Sequence, residues 1–413
     1  MLKHLLNSVL KEGSLTVLRP DGRDTFGSGE PHVVVKAHDR AALTELALHP
    51  DLKLGELYMD GRLTVEEGDV TALLALLMHN LSLSKPSGAL KFLRGVRKGL
   101  RPLHQFNPMG RAKRNVAHHY DLSGELYKLF LDRDRQYSCA YFPRGDETLE
   151  EAQIAKKRHI AAKLQLDKPG LKVLDIGCGW GGLALDMARD TSAQVLGVTL
   201  SDEQIAVARE RSQAARLADR CRFEPVDYRA LSGTYDRIVS VGMFEHVGLP
   251  HYQTFFNKCR DLLSDDGVML LHTIGRTDEG GSTNPWIAKY IFPGGYVPAL
   301  SEVMPAIEKS GLMVTDIEIL RLHYAKTLAE WRKRFMHHRA EIARLYDERF
   351  CRMWEFYLAG AEMAFRYDCQ VNFQIQLTKR VATLPLTRDY MLEAERTMNF
   401  AGIDHMPKPA RVA

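Results

Sequence analysis

The sequence predicts an α/β protein: a doubly wound sheet of mainly parallel strands, preceded by a smaller N-terminal α+β domain. Three observations carry this. From residue 147 onward, strand and helix patterns alternate in the βαβα order of a parallel sheet. A glycine-rich turn, Gly177-Cys-Gly-Trp-Gly-Gly182, stands between a strand pattern and a helix pattern. With 413 residues, 45% hydrophobic and 26% charged, the chain can bury a large core over two or three domains. That composition excludes a disordered, collagenous or coiled-coil chain.

Residues 1–80 form the small domain. Strands are expected over 14–18 and 32–36, helices over 40–48 and 68–81, with a turn at Asp60-Gly61. Nothing here has catalytic spacing. Residues 81–114 are a basic linker: from 81 to 119 there are nine cations and no acid, Lys85 and Arg114 marking the limits. Such a run is either a solvated connection or a strip facing anionic lipid head groups, where each cation contributes about 1 kcal/mol. Nucleic acid fits less well, because only Phe92 and Phe106 are available for stacking. The net charge of +4 is too small to argue for it either.

The larger domain spans 115–398. A capping box, Thr148-x-x-Glu151, opens a helix running to about 166. Strands follow over 172–176, 193–198, 222–226, 237–241 and 268–273. A second T-x-x-E, at Thr327 and Glu330, is read as opening the first of two C-terminal helices packed on the core. Residues 399–413 have little to bury and read as a loose tail. Six scattered cysteines without a CxxC pair are expected to be reduced thiols, and no metal is expected. The N-terminus lacks a signal-peptide core, and no run approaches the ~20 apolar residues of a membrane span. The expected location is the cytoplasm, with any membrane contact peripheral, at the inner face.

In such a sheet, ligands bind outside the carboxyl ends of the strands. The G-x-G-x-x-G at Gly177, Gly179 and Gly182 is alone a weak signal that also fits dinucleotide binding. Asp175, two residues before the first glycine, gives the D-x-G-x-G loop of S-adenosylmethionine (SAM) methyltransferases. The second strand ends in Gly197-Val-Thr-Leu-Ser201, without the acid that grips an adenosine ribose in dehydrogenases. Asp227 and Tyr228, after the third strand, are placed to flank an adenine ring. The Rossmann-like sheet is therefore expected to hold SAM rather than a nicotinamide.

With these residues in hand, the chain resembles cyclopropane-fatty-acyl-phospholipid synthases and the related mycolic acid cyclopropane synthases, from about Asn115 to Arg366 and more loosely before that. The resemblance is carried by His119-Tyr-Asp-Leu122, Gln136-Tyr-Ser-Cys-Ala-Tyr-Phe142, Val173-Leu-Asp-Ile-Gly-Cys-Gly-Trp-Gly181, Gly197-Val-Thr-Leu-Ser201, Phe244-Glu-His-Val-Gly248, Lys289-Tyr-Ile-Phe-Pro-Gly-Gly295 and His323-Tyr-Ala-Lys-Thr-Leu328. It implies a methyl transfer from SAM to a cis double bond of a phospholipid acyl chain, followed by ring closure with bound bicarbonate as base. Transferred by motif position, the bicarbonate shell is Cys139, Glu245, His272, the backbone amide of Ile274, and Tyr324. The SAM contacts are Tyr137, Ser138, Gly177, Cys178, Gly179, Thr199, Leu200, Ser201, Gln204, Asp227 and Tyr228. Phe142, Trp286, Tyr290, Phe292 and Tyr296 are candidates for lining the acyl channel, core packing being the rival role for each. A homodimer on a phospholipid surface is compatible with the resemblance.

One departure matters. Many relatives carry a cysteine in the segment that reads Tyr357-Leu-Ala-Gly-Ala361-Glu-Met-Ala-Phe-Arg366 here, and alanine occupies that position. A methyl-cysteine shuttle through it is impossible, which leaves direct transfer. Three rival readings remain. One is a sister lipid methylation giving a methyl or methylene branch. Another is a non-catalytic SAM- or lipid-binding module. The weakest is a nicotinamide dehydrogenase.

Overall fold

The computed structural model of the protein describes residues 2–83 and 123–398. Most of the basic linker, the 119–122 motif and the 399–413 tail lie outside them. The N-terminal sheet has four strands, β1 (Gly13–Arg19), β2 (Gly22–Ser28), β3 (His32–Ala37) and β4 (Leu63–Glu67), ordered β2-β1-β3-β4. β1 and β3 are the two strands expected from apolar runs. β2 and β4 were not anticipated: β2 reads GRDTFGS, with only Phe26 buried, and β4 is five residues with two exposed glutamates. Helices Leu2–Val9, Arg40–Leu48, Pro50–Met59 and Val70–Leu83 accompany this sheet, with Leu15, Val17, Val33, Val35, Leu57 and Leu73 in their shared core.

The second sheet holds seven strands: β5 (Lys172–Ile176), β6 (Gln194–Val198), β7 (Cys221–Glu224), β8 (Tyr235–Val241), β9 (Leu263–Arg276), β10 (Met313–Leu320) and β11 (Gln370–Thr378). Their order is β10-β11-β9-β8-β5-β6-β7. β5 through β9 pair in parallel, as the helix–strand alternation predicts. β11 runs antiparallel to both neighbours, β9 and β10. The chain builds outward from β5 through β6 to β7, then returns to lay β8 on the other side of β5. That reversal opens a crevice at the carboxyl ends of β5 and β8, the place where such sheets bind ligands.

Helix Leu149–Lys163 begins at the expected capping box. The Thr148 side chain accepts from the Glu151 amide, and Glu151 accepts from the Thr148 amide. The second T-x-x-E is not a cap. Thr327 lies inside helix His323–His337, where its hydroxyl donates to His323 O at 2.8 Å and accepts from Ala140 N at 3.0 Å. Three helices, His323–His337, Arg339–Leu345 and Glu348–Tyr367, replace the expected two. A threonine that back-bonds to the preceding turn carries the same sequence signature as one that starts a helix.

The N-terminal unit is seated on the larger one through helix Pro50–Met59. Glu56 receives Lys289 Nζ at 2.6 Å, Lys53 Nζ at 2.9 Å and the Tyr290 hydroxyl at 2.9 Å. Trp286 Nε1 points at Met59 Sδ, 3.1 Å away. Gly55 lets the Trp286 ring lie against the helix backbone, since a Cβ there would come within 2.4 Å of Nε1. Among the described residues no helix is long and apolar enough to cross a membrane.

Candidate active site

The turn after β5 is built on left-handed glycines: Gly177, Gly179 and Gly181 have φ of +85°, +55° and +82°. Any other residue would be strained there. A Cβ at Gly177 would also lie 2.7 Å from Met243 Cβ, so the loop passes tightly under the segment that leaves β8. Gly179 faces open space, with nothing within 4 Å of where its Cβ would be. This is a backbone surface that a ligand can approach closely.

The loop borders a cleft open at its mouth. Every SAM contact expected from the sequence lines it except Ser201. The Ser201 hydroxyl instead caps helix Asp202–Ala214, accepting from Gln204 N at 3.3 Å. Gln204 turns inward, and its Oε1 accepts from Thr199 Oγ1 at 2.9 Å. Asp227 is held by Arg229, whose Nε and Nη2 donate to its two oxygens at 2.9 and 2.6 Å. Burial raises the Asp227 carboxyl, but the Arg229 bonds outweigh it and leave it below the usual carboxylate range. It is therefore an ionised acceptor at the cleft rim. Asp175 is the opposite case. It is buried, its Oδ2 has no hydrogen-bond partner among the described residues, and burial lifts its pKa to about 7.

The cleft is also lined by Gln136, Trp180, Arg229, Gly242, Met243 and His246, none of which the sequence reading assigned. His246 had a signal, since it directly follows Glu245 in the quoted motif. Burial draws its pKa down to about 4, so it is a neutral imidazole.

None of the five residues expected around bicarbonate is among those that line this cleft. Glu245, on the turn Phe244–His246 after β8, accepts from Ile274 N at 2.6 Å through Oε1. Its Oε2 is buried without a hydrogen-bond partner among the described residues, and burial raises its pKa. The Ile274 amide, expected on the anion, thus donates to Glu245. His272 is two residues earlier on β9. Its ring lies between two amide side chains of β11, Asn372 at 3.2 Å from Nε2 and Gln374 at 3.1 Å from Nδ1. Burial drives its pKa to about 3 and keeps it neutral. A neutral ring has one N–H and one bare nitrogen, so one of the two amides turns its oxygen toward the ring.

Cys139 is fully buried; its thiol donates to Ala140 O at 3.3 Å, and burial pushes its pKa up. Tyr324 is buried edge-on to Trp331 and tilted against Phe365. Cys139, Tyr324 and Ile274 belong to one apolar cluster.

Of the acyl-channel candidates, Phe292 comes nearest the cleft, its ring 6.2 Å from that of His246 and 5.8 Å from that of Tyr357. Tyr137 continues the aromatic wall. It stacks on Trp331 at 5.1 Å, and its hydroxyl meets that of Tyr357 at 2.9 Å. Trp286 and Tyr290 are occupied by Met59 and Glu56 of the N-terminal unit, Tyr296 binds Glu302, and Phe142 packs against His323.

A family model described as mycolic acid cyclopropane synthetase matches residues 108–375. The chain belongs to that family. It is a SAM-dependent methyltransferase of the cyclopropane synthase type. It is 37% identical over 384 residues to a probable fatty acid methyltransferase of Pseudomonas putida, covering 90% of this chain and 94% of that one. It is 46% identical over 248 residues to the cyclopropane-fatty-acyl-phospholipid synthase of Escherichia coli strain K12, covering 60% of this chain and 63% of that relative. The solved structure of mycolic acid cyclopropane synthase CmaA1 complexed with SAH and CTAB matches with a TM-score of 0.61 and 35% identity, over 66% of this chain and 99% of that one.

Proposed function

We propose that this cyclopropane synthase-family enzyme methylates a cis double bond in a phospholipid acyl chain and closes a cyclopropane ring, with bicarbonate as base. One observation supports the reading: the glycine-loop cleft after β5 and the buried Glu245–Ile274 pair after β8 stand at the same, carboxyl edge of the sheet. The open backbone at Gly179, the ionised Asp227 and the flanking Tyr228 suit SAM.

The alkene π electrons attack the sulfonium methyl carbon. The S–CH₃ bond breaks and its electron pair returns to sulfur. The acyl chain is left as a carbocation, which aromatic faces such as Tyr137 and Phe292 can steady. Loss of one proton from the new methyl group supplies the electron pair that closes the ring. Bicarbonate, when bound, supplies the base for that proton. The fit of the anion rests on Glu245, whose buried Oε2 is an acceptor suited to a bicarbonate hydroxyl. The Tyr324 hydroxyl is a donor type in the adjoining cluster, whereas the Cys139 thiol already spends its one proton on Ala140 O. Transfer is direct. Ala361 lies within helix Glu348–Tyr367, and Cys369 lies past its end with its thiol 3.1 Å from Arg276 Nη2.

The N-terminal unit captures lipid, the basic linker adds attraction to anionic head groups, and the protein works at the inner membrane face from the cytoplasm, with two copies binding a bilayer more tightly than one. A second reading is favoured by the Pseudomonas putida relative, a probable fatty acid methyltransferase whose alignment runs through 90% of this chain: the carbocation loses a proton to leave a methylene branch or a methyl-branched alkene instead of closing a ring. The test is incubation of the pure protein with SAM and vesicles of cis-monounsaturated phospholipid, with and without bicarbonate. The expected result is a gain of one CH₂ per acyl chain, high-field ring protons by NMR, and loss of turnover in carbonate-free buffer. A branched product supports the second reading, and vesicles left unmodified reject both.

A further inference from the structure

Lys156 is wholly buried in the middle of helix Leu149–Lys163, and the chemistry above makes no use of it. Its ammonium donates to Gln136 Oε1 at 2.6 Å and to Ser138 Oγ at 2.9 Å. Both acceptors belong to residues that line the cleft. Gln153, three residues earlier on the same helix, donates from Nε2 to the backbone carbonyls of Gln136 at 3.3 Å and Ser138 at 3.0 Å. The helix thus grips the 136–138 segment twice, its backbone through Gln153 and its side chains through Lys156.

The two gripped side chains differ in what they have left to offer. Gln136 is committed on both sides, since its Nε2 donates to Asp134 Oδ2 at 3.1 Å. Ser138 is not. An ammonium has three donors and no lone pair, so Ser138 Oγ can only accept from it. The serine proton must point away from Lys156, and Ser138 lines the cleft.

We propose that Lys156 is a positioning residue for the cofactor: by donating to Ser138 from behind, it makes the serine hydroxyl a one-way donor aimed into the cleft, toward an anionic or lone-pair acceptor of SAM such as its carboxylate. The proposal rests on the reading of this cleft as the SAM site. A neutral amine would have a lone pair able to accept from Ser138, so the hydroxyl would no longer be a one-way donor. The arrangement therefore depends on pH. Asp132 and Asp134 face Lys156 from the segment after helix Gly124–Phe130, Lys157 from its own helix, and Cys139 from the gripped segment. Asp175 on β5 and His272 on β9 complete its charged and titratable surroundings. Burial draws the ammonium down to about 8 against the opposing pull of Asp132.

Calorimetric titration of S-adenosylhomocysteine from about pH 6.5 to about 9.5 tests this in the full chain, comparing wild type, Lys156→Met and Ser138→Ala. Wild-type affinity should fall ~10-fold through the alkaline range, the loss expected for one charge-supported hydrogen bond. Both variants should bind ~10-fold more weakly at neutral pH and lack that alkaline limb. The ligand's own amine titrates equally in all three proteins, so the difference between profiles is the readout. A Ser138→Ala profile that keeps the wild-type limb overturns the proposal, even if Lys156→Met does not fold. So does a folded Lys156→Met that binds like wild type. A wild type that binds well but without pH dependence overturns the positioning role alone, whereas no binding at all overturns the cofactor reading with it.

Discussion

At the scale of single residues, the site is a set of buried polar groups whose protonation is set by what surrounds them. Glu245, His246, His272 and Asp175 are all pushed toward their neutral forms by burial. Asp175 gives a stability prediction with a definite sign. Burial lifts its pKa to about 7 in the folded protein against 3.8 for an ordinary aspartate, so between those values the native state holds the proton more tightly than the unfolded chain. Stability from this group is therefore present in acid and lost as pH rises from about 4 to about 7. Asp175→Asn removes that loss. Urea denaturation without SAM should find the variant about 1–3 kcal/mol more stable than wild type at pH 8 and nearly equal at pH 4. An unchanged difference across that range would show that the carboxyl ionises freely. The residue scale is also where the sequence was both most and least informative. Glycines, Asp175 and Asp227 carry their chemistry in type and spacing. Lys156 does not, because a lysine on a helix ordinarily faces water, and only the 136–138 segment packed over it makes it a buried donor.

At the scale of elements, the parallel core was legible because strands buried on both faces read as continuous apolar runs. β5 was located to the residue, and β6, β7 and β8 to within one or two. β11 escaped for a physical reason. Its sequence, QVNFQIQLT, alternates apolar with amide residues, yet it is almost wholly buried. The amides look solvent-facing in sequence and are instead used indoors: Asn372 and Gln374 hold His272, and Gln376 donates to Lys163 O at 2.6 Å. β10 was missed along with it. The two T-x-x-E signatures make the same point, since one caps a helix and the other sits within one. The cap on helix Leu149–Lys163 can be measured. Thr148→Ala removes the acceptor for Glu151 N and should lower stability by about 1 kcal/mol in denaturant titration, with Lys156 downstream left in place. A loss below ~0.3 kcal/mol would mean that tertiary packing alone fixes the helix start.

At the scale of the whole molecule, the N-terminal unit meets the larger one through two patches: the contacts around Glu56, Met59 and Trp286, and the packing of Val70 and Leu74 on Ala359 and Met363 of helix Glu348–Tyr367. None of this was visible in sequence, because each partner is separated from the other by more than two hundred residues. The same contacts explain why aromatic residues near 290, candidates for the lipid channel, are only partly available to it. Trp286 and Tyr290 bind the N-terminal unit, and two residues further on Phe292 faces His246 at the cleft. Glu56→Gln keeps the shape but removes the charge shared by Lys53, Lys289 and Tyr290. Since Lys289 is 55% exposed, its share is screened, and the expected cost is about 1–2 kcal/mol in urea unfolding. A variant as stable as wild type would show that the remaining contacts carry the seat without this charge.

The antiparallel placement of β11 also has a temporal consequence. It is the last strand among the described residues, yet it lies between β9 and β10 and supplies both amides that hold His272. On the ribosome, β10 emerges with no neighbour to pair with, and His272 waits without its holders until residue 378 has cleared the exit tunnel. Translation thus completes the setting of His272 last, and a nascent chain stopped short of β11 has the glycine-loop cleft but neither of the amides that hold this histidine.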